Sequence, residues 1–287
     1  MNASLHCVTT PPRPIPLGAT RLSVHCIPMM RDNLGWLLVD ATRGQAALVD
    51  GTDAGSVLAY CEAIDVILTT IINTHTHPDH IGVNRDLQRQ GLLAEMRVIG
   101  PCPTTTPTPV PGLTEVVGEG DKFSFGDAEF TTLRTDGHLD GHVCYLVAGA
   151  VFCGDILFGC GCGRVFSGPP EKLYASLQRL AGLPPETLVY CAHEYTAANI
   201  AFAKTLDPDN QALCAREASV AHIRGAGGCT IPTTVGIELA TNPFLRTDTR
   251  PIREAVARAL PAEPATTAAE VFAAARLLRN GFKQVGV

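Results

Sequence analysis

A loop dense in potential metal ligands, Thr74-His75-Thr76-His77-Pro78-Asp79-His80, constrains this chain more than any other stretch. The segment before it, residues 66–72, is apolar and β-branched, which predicts a buried strand. The residues after it, 81–87, predict the first turns of a helix. Because loops at strand ends present side chains on a rigid scaffold, we expect this loop to face a functional cleft.

The spacing within this loop allows it to serve two metal ions. On an extended segment His75 and His77 point to the same side, so both imidazoles can reach one cation. Pro78 suits the first position of a helix, and Asp79 and His80 then point elsewhere, toward a second cation. Imidazole and carboxylate ligands together suit zinc, iron or manganese. A polar surface loop that merely happens to be rich in histidine is disfavoured, since it holds three of the chain's nine histidines.

The pattern H-x-H-x-D-H after an apolar strand resembles the signature of the metallo-β-lactamase superfamily. The resemblance implies an α+β fold, the αββα sandwich, in which several strand ends converge on one metal site. Three later segments also read as strands that end in ligand-type residues. By this resemblance the first metal is bound by His75, His77 and His138, the second by Asp79, His80 and His193, and Asp155 bridges both.

The residues themselves leave alternatives at three places in these later segments. His142 starts a predicted strand, so we expect it to pack or hydrogen-bond nearby, and the resemblance assigns the metal to His138, the first His of G-H-x-x-G-H. A lone Asp after a strand is usually a turn residue, but the Asp155 carboxylate could span two cations about 3.5–4 Å apart. The cysteines of Cys160-Gly161-Cys162 could form a thiolate site, but a tight loop of small residues is favoured, because such a site needs more sulfur ligands.

Composition limits the other classes of function. The chain has 287 residues, 46% of them hydrophobic, which suits one large domain or two smaller ones. Its net charge is −6 and no basic run is present, so a nucleic-acid partner is not expected. No apolar run approaches the roughly 18 residues of a membrane span. Eleven cysteines, several within predicted strands, indicate reduced thiols in a cytoplasmic protein rather than disulfides.

Changes in composition along the sequence predict three regions. Residues 1–18 are rich in Pro and Thr and have no apolar core of the signal-peptide kind, which predicts a loose N-terminal extension. Residues 19–196 carry the strands and ligand loops of a metallo-β-lactamase-like catalytic domain. Residues 197–287 are alanine-rich and predict a small helical C-terminal domain. Resemblance to a known family implies that this domain binds the substrate.

This C-terminal region narrows the resemblance to the glyoxalase II family, the hydroxyacylglutathione hydrolases. The family's substrates are S-2-hydroxyacylglutathiones, and S-lactoylglutathione is hydrolysed to D-lactate and glutathione in the second step of methylglyoxal detoxification. The resemblance implies two divalent metal ions, zinc first, with iron or manganese as alternatives. The matching segments are Asp32-Asn33, the metal loop, 159–163, His193-Glu194-Tyr195-Thr196, 241–246 and 276–282.

The resemblance also implies residues that hold the glutathione moiety and orient the nucleophile. Glutathione carries two carboxylates, and guanidinium groups bind carboxylates bidentately. Asp79 and Asp155 would orient a water held between the metals as it attacks the thioester carbonyl. Residue type alone would predict that Arg276 and Arg279 belong to a solvated helix face. The expected glutathione contacts are Arg164, Phe166, Tyr195, Arg276 and Arg279.

Some positions depart from the family, and other functions remain alternatives. Thr76 and Pro78 stand where His and Trp are usual, Phe166 replaces a Tyr, and Arg279-Asn280 replaces Lys-Asp. A persulfide dioxygenase shares the metal loop but uses one iron and normally lacks the helical domain. A lactonase or β-lactamase would lack the C-terminal arginines, and in a non-enzyme the metals would only stabilise the fold. We expect a monomer whose partner is a small-molecule glutathione thioester.

Overall fold

Hydrophobic segments of the N-terminal part of the chain form a seven-stranded sheet. The computed structural model describes residues 6–261 and 265–282. The strands are β1 (Ile15–Pro16), β2 (Ser23–Met29), β3 (Asn33–Asp40), β4 (Gln45–Val49), β5 (Ile67–Ile72), β6 (Arg97–Pro101) and β7 (Glu115–Val117). They lie in chain order, antiparallel from β1 to β4 and parallel from β4 to β7. The carboxyl ends of β4 and β5 therefore meet at the same edge.

A second sheet of six strands faces the first. Its strands are β8 (Lys122–Phe125), β9 (Ala128–Arg134), β10 (Val143–Val147), β11 (Ala150–Gly154), β14 (Leu188–Cys191) and β15 (Thr233–Thr234), and the short hairpin β12 (Leu157–Phe158) and β13 (Gly161–Cys162) lies apart. The order is β15-β14-β11-β10-β9-β8, with β11 and β14 parallel. The ends of β11 and β14 therefore also point to one edge.

Eight α-helices complete the described part of the chain. They are α1 (Ala54–Ala63), α2 (Gly82–Arg89), α3 (Pro170–Ala181), α4 (Thr196–Leu206), α5 (Gln211–Gly225), α6 (Val235–Thr241), α7 (Arg250–Ala259) and α8 (Ala268–Gly281). Helices α1 and α2 cover the outer face of the first sheet, where Val57 and Leu87 join the apolar cluster around Leu48. None of the described helices is long and apolar enough to cross a membrane.

The two sheets share one apolar core. Trp36 of the first sheet meets Tyr190 of the second edge to face, with ring centroids 4.9 Å apart. Phe152 stacks on Tyr190 with ring centroids 4.8 Å apart. The indole nitrogen of Trp36 donates to the carbonyl of Cys191 at 2.9 Å, which ties the sheets together beside the end of β14. The predicted α+β fold of two sheets followed by a helical region is confirmed.

The prediction of a loose N-terminal extension is wrong for the residues that the structure describes there. Residues 6–18 are not a loose extension, because β1 pairs with β2 and the side chains of Val8 and Leu17 are only 2% and 1% exposed. Residues 1–5 lie outside the described part. A segment rich in Pro and Thr shows no periodicity, yet a few apolar side chains and backbone hydrogen bonds suffice to hold it against the body of the protein.

The turn between β12 and β13 is held by side chains of the helical region. Glu238 of α6 is fully buried and accepts from the backbone N–H of Cys160 at 2.8 Å and from a guanidinium nitrogen of Arg216. Asn242 donates to the carbonyl of Gly161 at 2.9 Å, and Asn199 donates to the carbonyl of Gly159 at 3.0 Å. We call Asn199, Glu238 and Asn242 the turn clamp.

Candidate metal centre

The seven predicted ligands lie together at one edge of the two sheets. The loop after β5 brings four of them, and the connection between β9 and β10 brings His138. Asp155 follows β11, and His193 follows β14. Strands from both sheets therefore deliver side chains to one buried site, as the sequence predicted from four separate strand ends.

Four of these residues can surround a first cation. The Nδ1 atom of His77 lies 3.0 Å from Nε2 of His75 and 2.9 Å from Nε2 of His138. Oδ2 of Asp155 is 3.4 Å from Nε2 of His138, and the four donor atoms lie within 4.8 Å of one another. Zinc holds nitrogen at about 2.0–2.1 Å in a tetrahedron, so such close donor atoms fit a shared metal ion.

Three further residues can surround a second cation beside the first. Nε2 of His193 lies 3.4 Å from Oδ2 of Asp79, and Nε2 of His80 lies 3.7 Å from the same oxygen. Oδ1 of Asp155 is 3.5 Å from both imidazole nitrogens. Because Oδ2 of Asp155 faces the first group and Oδ1 faces the second, this carboxylate has the geometry of a bridge.

Two buried polar atoms without hydrogen-bond partners in the described part of the chain indicate that the site fits metal ions. Nε2 of His80 and Oδ1 of Asp155 are buried and have no hydrogen-bond partner within the described residues. Buried polar atoms are almost always paired, so each such atom requires an explanation. A divalent cation between these atoms would satisfy both. The His and Asp groups are therefore suited to binding metal ions.

The protonation of the histidines differs between the two groups. Burial lowers the pKa of His75 well below its usual value and that of His138 to about 4, so both imidazoles are neutral and offer a lone pair. Burial also opposes charge on His80 and His193, but the neighbouring carboxylates outweigh it and raise both pKa values, that of His193 to about 9. Asp155 acts on both imidazoles, together with Asp50 at His80 and with Asp32 and Asp79 at His193. The carboxylates thus create a field that favours cations.

A glycine allows Asp155 to reach this position. Gly154 has φ +47°, a conformation that side chains other than glycine rarely adopt. A Cβ atom there would lie 2.4 Å from Oγ1 of Thr74 and 2.8 Å from Nε2 of His142. Glycine therefore lets the end of β11 approach the loop after β5 closely enough for Asp155 to face both groups.

His142 contacts the site without joining either group. Its ring stacks on His75, with centroids 4.8 Å apart. Its Nδ1 lies 3.0 Å from Oγ1 of Thr135, and its Nε2 accepts from the backbone N–H of Asp155 at 3.3 Å. The structure thus places His142 in the packing and hydrogen-bonding position that we expected, with His138 facing the first group.

Two carboxylates orient the imidazoles of His80 and His193 by contacts with Nδ1, the nitrogen that faces away from the site. The sequence analysis did not assign these carboxylates to the site. Oδ2 of Asp50 lies 2.9 Å from Nδ1 of His80, and Oδ1 of Asp32 lies 3.0 Å from Nδ1 of His193. Each bond leaves Nε2 free to face a cation. Asp50 follows β4, the neighbour of β5, and that adjacency was the available signal.

Substitution of Asp50 by Asn should weaken binding of the metal ion that His80 faces by about 10- to 100-fold, because an amide no longer supplies the negative acceptor. Competition with a chromogenic chelator would measure this affinity. Asp53→Asn is a matched control, since Asp53 caps α1 and Asn caps helices equally well. Equal affinities in the wild type and Asp50→Asn would contradict the expected role.

A cavity of about 240 Å³ opens beside the second group. Tyr195 connects it to the ligands, because its ring stacks on His193 with centroids 4.7 Å apart. Four of the five residues predicted to bind substrate line this cavity. Its lining consists of Phe158, Cys162, Arg164, Tyr195, Asn199, Arg276, Arg279 and Asn280.

The fifth residue, Phe166, lies apart from this lining. It is 58% exposed, and its ring meets His77 and His138 edge to face at 5.1 and 5.3 Å. The guanidinium carbon of Arg164 lies 5.7 Å from the centroid of the Phe166 ring. Phe166 therefore covers the first group of ligands, whereas the other four surround the cavity.

The arginines give the cavity a positive wall. Arg276 is only 8% exposed and donates to the carbonyl of Cys162 at 3.0 Å, so it is no part of a solvated helix face. Arg279 donates to Oδ1 of Asn199 at 3.3 Å, and burial together with the charge of Arg276 lowers its pKa. Within the described residues neither arginine forms an ion pair, nor does Arg164. The wall is therefore available to an anionic ligand.

Comparison with known proteins agrees with this arrangement. The model of the metallo-beta-lactamase superfamily matches residues 31–193, and that of the hydroxyacylglutathione hydrolase C-terminus matches 194–282. Hydroxyacylglutathione hydrolases of Aliivibrio fischeri and Vibrio cholerae are 42% and 41% identical over 261 and 262 residues, which is 91% of this chain and 100% of each relative. The crystal structure of ETHE1 from Myxococcus xanthus is similar with a TM-score of 0.56 and 26% identity, over 86% of this chain and 93% of that one.

Proposed function

Because the chain belongs to the hydroxyacylglutathione hydrolase family of the metallo-β-lactamase superfamily, we propose that it hydrolyses S-2-hydroxyacylglutathiones. S-lactoylglutathione is the first candidate, and the products would be D-lactate and glutathione. The observation that carries this proposal is the position of a cationic cavity directly beside two adjoining groups of His and Asp ligands. The reaction class is glyoxalase II, a metal-dependent thioester hydrolysis.

The proposed ligand sets follow the two groups described above. Zinc is the proposed metal in both, with iron or manganese as alternatives, since imidazole and carboxylate accept all three. When bound, two such cations lower the pKa of water toward neutrality and supply charge for the oxyanion. His75, His77 and His138 would hold the first ion, Asp79, His80 and His193 the second, and Asp155 would bridge them.

The carboxylates also have a proposed catalytic role. Oδ2 of Asp79 and Oδ1 of Asp155 both lie close to Nε2 of His193, at 3.4 and 3.5 Å. A water between the ligand groups can donate hydrogen bonds to these oxygens, which would aim its lone pair at the thioester carbonyl. Because they would touch the attacking water, we assign both as catalytic residues. The described site needs no side-chain nucleophile for this reaction.

The glutathione moiety is proposed to occupy the cavity of Arg164, Arg276 and Arg279. Its two carboxylates match guanidinium groups that lack a carboxylate partner in the described structure. Tyr195 would line the path from this cavity to the metals, because it stacks on His193. Phe166 would contact the acyl end, since it lies over His77 and His138.

The organisation of the protein is proposed on the same basis. We assign residues 19–196 to the catalytic domain and 197–287 to the helical substrate-binding domain, since the last proposed ligand, His193, lies just before α4, the first of the C-terminal helices. The eleven cysteines are free, which supports a reducing compartment such as the cytoplasm. We further propose a monomer, which light scattering of the purified protein would test.

Removal of the metal tests the proposed reaction. Treatment with a chelator should lower the hydrolysis of S-lactoylglutathione at least 100-fold, roughly the loss expected when charge stabilisation of the oxyanion disappears. Re-addition of zinc, iron or manganese should restore it, and the metal that restores the highest rate identifies the preferred ion.

A folded, metal-loaded sample that does not hydrolyse this thioester would contradict the proposal. Oxygen uptake with glutathione persulfide would then test the dioxygenase alternative, for which one bound iron per chain is expected. A panel of lactones would test the remaining hydrolase alternatives.

A further inference from the structure

The N-terminal strap, which we define as residues 6–10, lies outside both segments that match known families, 31–193 and 194–282. It binds the turn between β2 and β3. The backbone N–H of Cys7 donates to the carbonyl of Arg31 at 2.7 Å. The side chain of His6 accepts at Nδ1 from the N–H of Val8 at 2.7 Å. Its Nε2 therefore carries the proton and donates to the carbonyl of Asn33 at 2.9 Å.

The other side of the strap is fixed to the C-terminal region. The N–H groups of Thr9 and Thr10 donate to the carbonyl of Gly227 at 2.9 and 3.0 Å. The guanidinium of Arg224 donates to the carbonyl of Cys7. Val8 is 2% exposed and belongs to the apolar core between the sheets. The strap is thus held at one end by the turn, through His6 and Cys7, and at the other by the C-terminal region, through Thr9 and Thr10.

The turn that the strap contacts carries the residues that orient the second ligand group. Oδ1 of Asp32 lies 3.0 Å from Nδ1 of His193, and the carbonyl of Asp32 accepts from the N–H of Glu194 at 3.0 Å. Nδ2 of Asn33 donates to Oδ2 of Asp79 at 2.9 Å. Two of the four proposed ligands of the second metal, His193 and Asp79, are therefore oriented by this turn and the first residue of β3.

The first ligand group has different supports. Nδ1 of His75 lies 3.0 Å from Oγ1 of Thr74, and Nδ1 of His138 lies 2.9 Å from the carbonyl of Arg164. Neither of these contacts involves the strap or the turn. The two proposed metal ions should therefore respond differently to a change in the strap.

We propose that the N-terminal strap is a positioning element for the second metal ion: through the carbonyls of Arg31 and Asn33 it holds Asp32 and Asn33 against His193 and Asp79. This inference rests on the proposed two-metal site. His6 and Arg224 are then positioning residues, because neither would touch metal or substrate. The strap connects the helical region, through Arg224 and Gly227, to the turn beside the proposed ligands. Residues 6–10 of this connection lie outside the matched family segments.

Substitution of His6 by Ala should weaken binding of the second ion by about 3- to 10-fold and leave the first unchanged. The effect is smaller than the 10- to 100-fold typical of a partner in direct contact with a ligand, since His6 acts one residue further out. Stepwise titration of the metal-free full-length protein with zinc against a chromogenic chelator would resolve both affinities. At saturating zinc, kcat and KM for S-lactoylglutathione should return to the wild-type values.

Two further variants make the test specific. His6→Gln should restore most of the affinity, because its amide can donate to Asn33 and accept from Val8. Arg224→Gln releases the carbonyl of Cys7 from the helical region and should also weaken only the second ion, and the double variant should lose less than the sum of the single changes. His222→Ala, an exposed histidine of α5, is the matched control and should change neither affinity.

Equal weakening of both ions would overturn the proposal, as would a lower melting temperature with both affinities unchanged. Either result would make the strap a brace for the fold as a whole. These titrations do not depend on hydrolysis, so they can be read even if S-lactoylglutathione is not the substrate.

Discussion

Substitution of Asp155 by Ala should reduce thioester hydrolysis by about 10³-fold or more and lower the bound metal from the proposed two ions to one or fewer. The reason is geometric, since among the described residues Asp155 alone places one oxygen near His138 and the other near His80 and His193. Loss of several kcal/mol of charge stabilisation corresponds to a factor of this size. Steady-state kinetics together with elemental analysis of the purified variant would measure both effects.

Asp155→Asn separates the charge of this side chain from its shape. The amide keeps one oxygen but cannot face both ligand groups as an anion, so we expect weaker metal binding than in wild type and less complete loss than in Asp155→Ala. Asp209→Ala, an exposed aspartate between α4 and α5, is the control for a general loss of negative charge. Two retained ions with unchanged kcat in Asp155→Ala would show that the carboxylate is not the bridge.

Substitution of Arg276 by Ala should lower kcat/KM for S-lactoylglutathione by about 10- to 100-fold, mainly through KM. A charge-assisted hydrogen bond contributes about 1.5–3 kcal/mol, which corresponds to this range. Hydrolysis of a thioester of a small uncharged thiol should change much less, because it makes no contact with the positive wall. The ratio of the two specificity constants is therefore the measurement.

Two controls separate recognition from stability in this experiment. Arg276 also donates to the carbonyl of Cys162 and lies 5.2 Å from the centroid of the Phe244 ring, so its loss should lower the melting temperature as well. Arg276→Lys keeps the charge without the planar fork, and should recover part of the affinity. Arg250→Ala removes an arginine whose side chain is 86% exposed and should change neither constant. An equal loss for both thioesters would contradict a role in carrier recognition.

The parts of the site that could be predicted from the sequence are those encoded locally. His75, His77, Asp79 and His80 fall within one loop, so their spacing alone indicated two ligand groups. Other ligands depended on the family resemblance, because a single histidine or aspartate after a strand carries little information. The short strands β1, β7, β12, β13 and β15 were not predicted, since two or three residues are too few to show an alternation.

Other features depend on contacts that no local pattern encodes. Asp50 reaches His80 only because β4 and β5 are neighbours, and His6 reaches Asn33 only because the chain folds back on itself. Arg276 looks like an exposed residue on a helix, but α8 turns it toward the carbonyls of Cys162 and Gly163. In each case the partner lies far away in the sequence, and the decisive quantity is a distance in space.

The turn clamp has a consequence for how this protein can acquire new specificity. The turn of Gly159–Cys162 lies within the proposed catalytic domain, yet the N–H of Cys160 and the carbonyls of Gly159 and Gly161 are satisfied by the turn clamp from the helical region. Exchange of the whole helical region for that of another enzyme would leave those buried groups without partners unless the replacement carried the same three side chains. Adaptation to a different thiol carrier is therefore expected to proceed by point changes on α8, with the helical region inherited as a unit with the sheets.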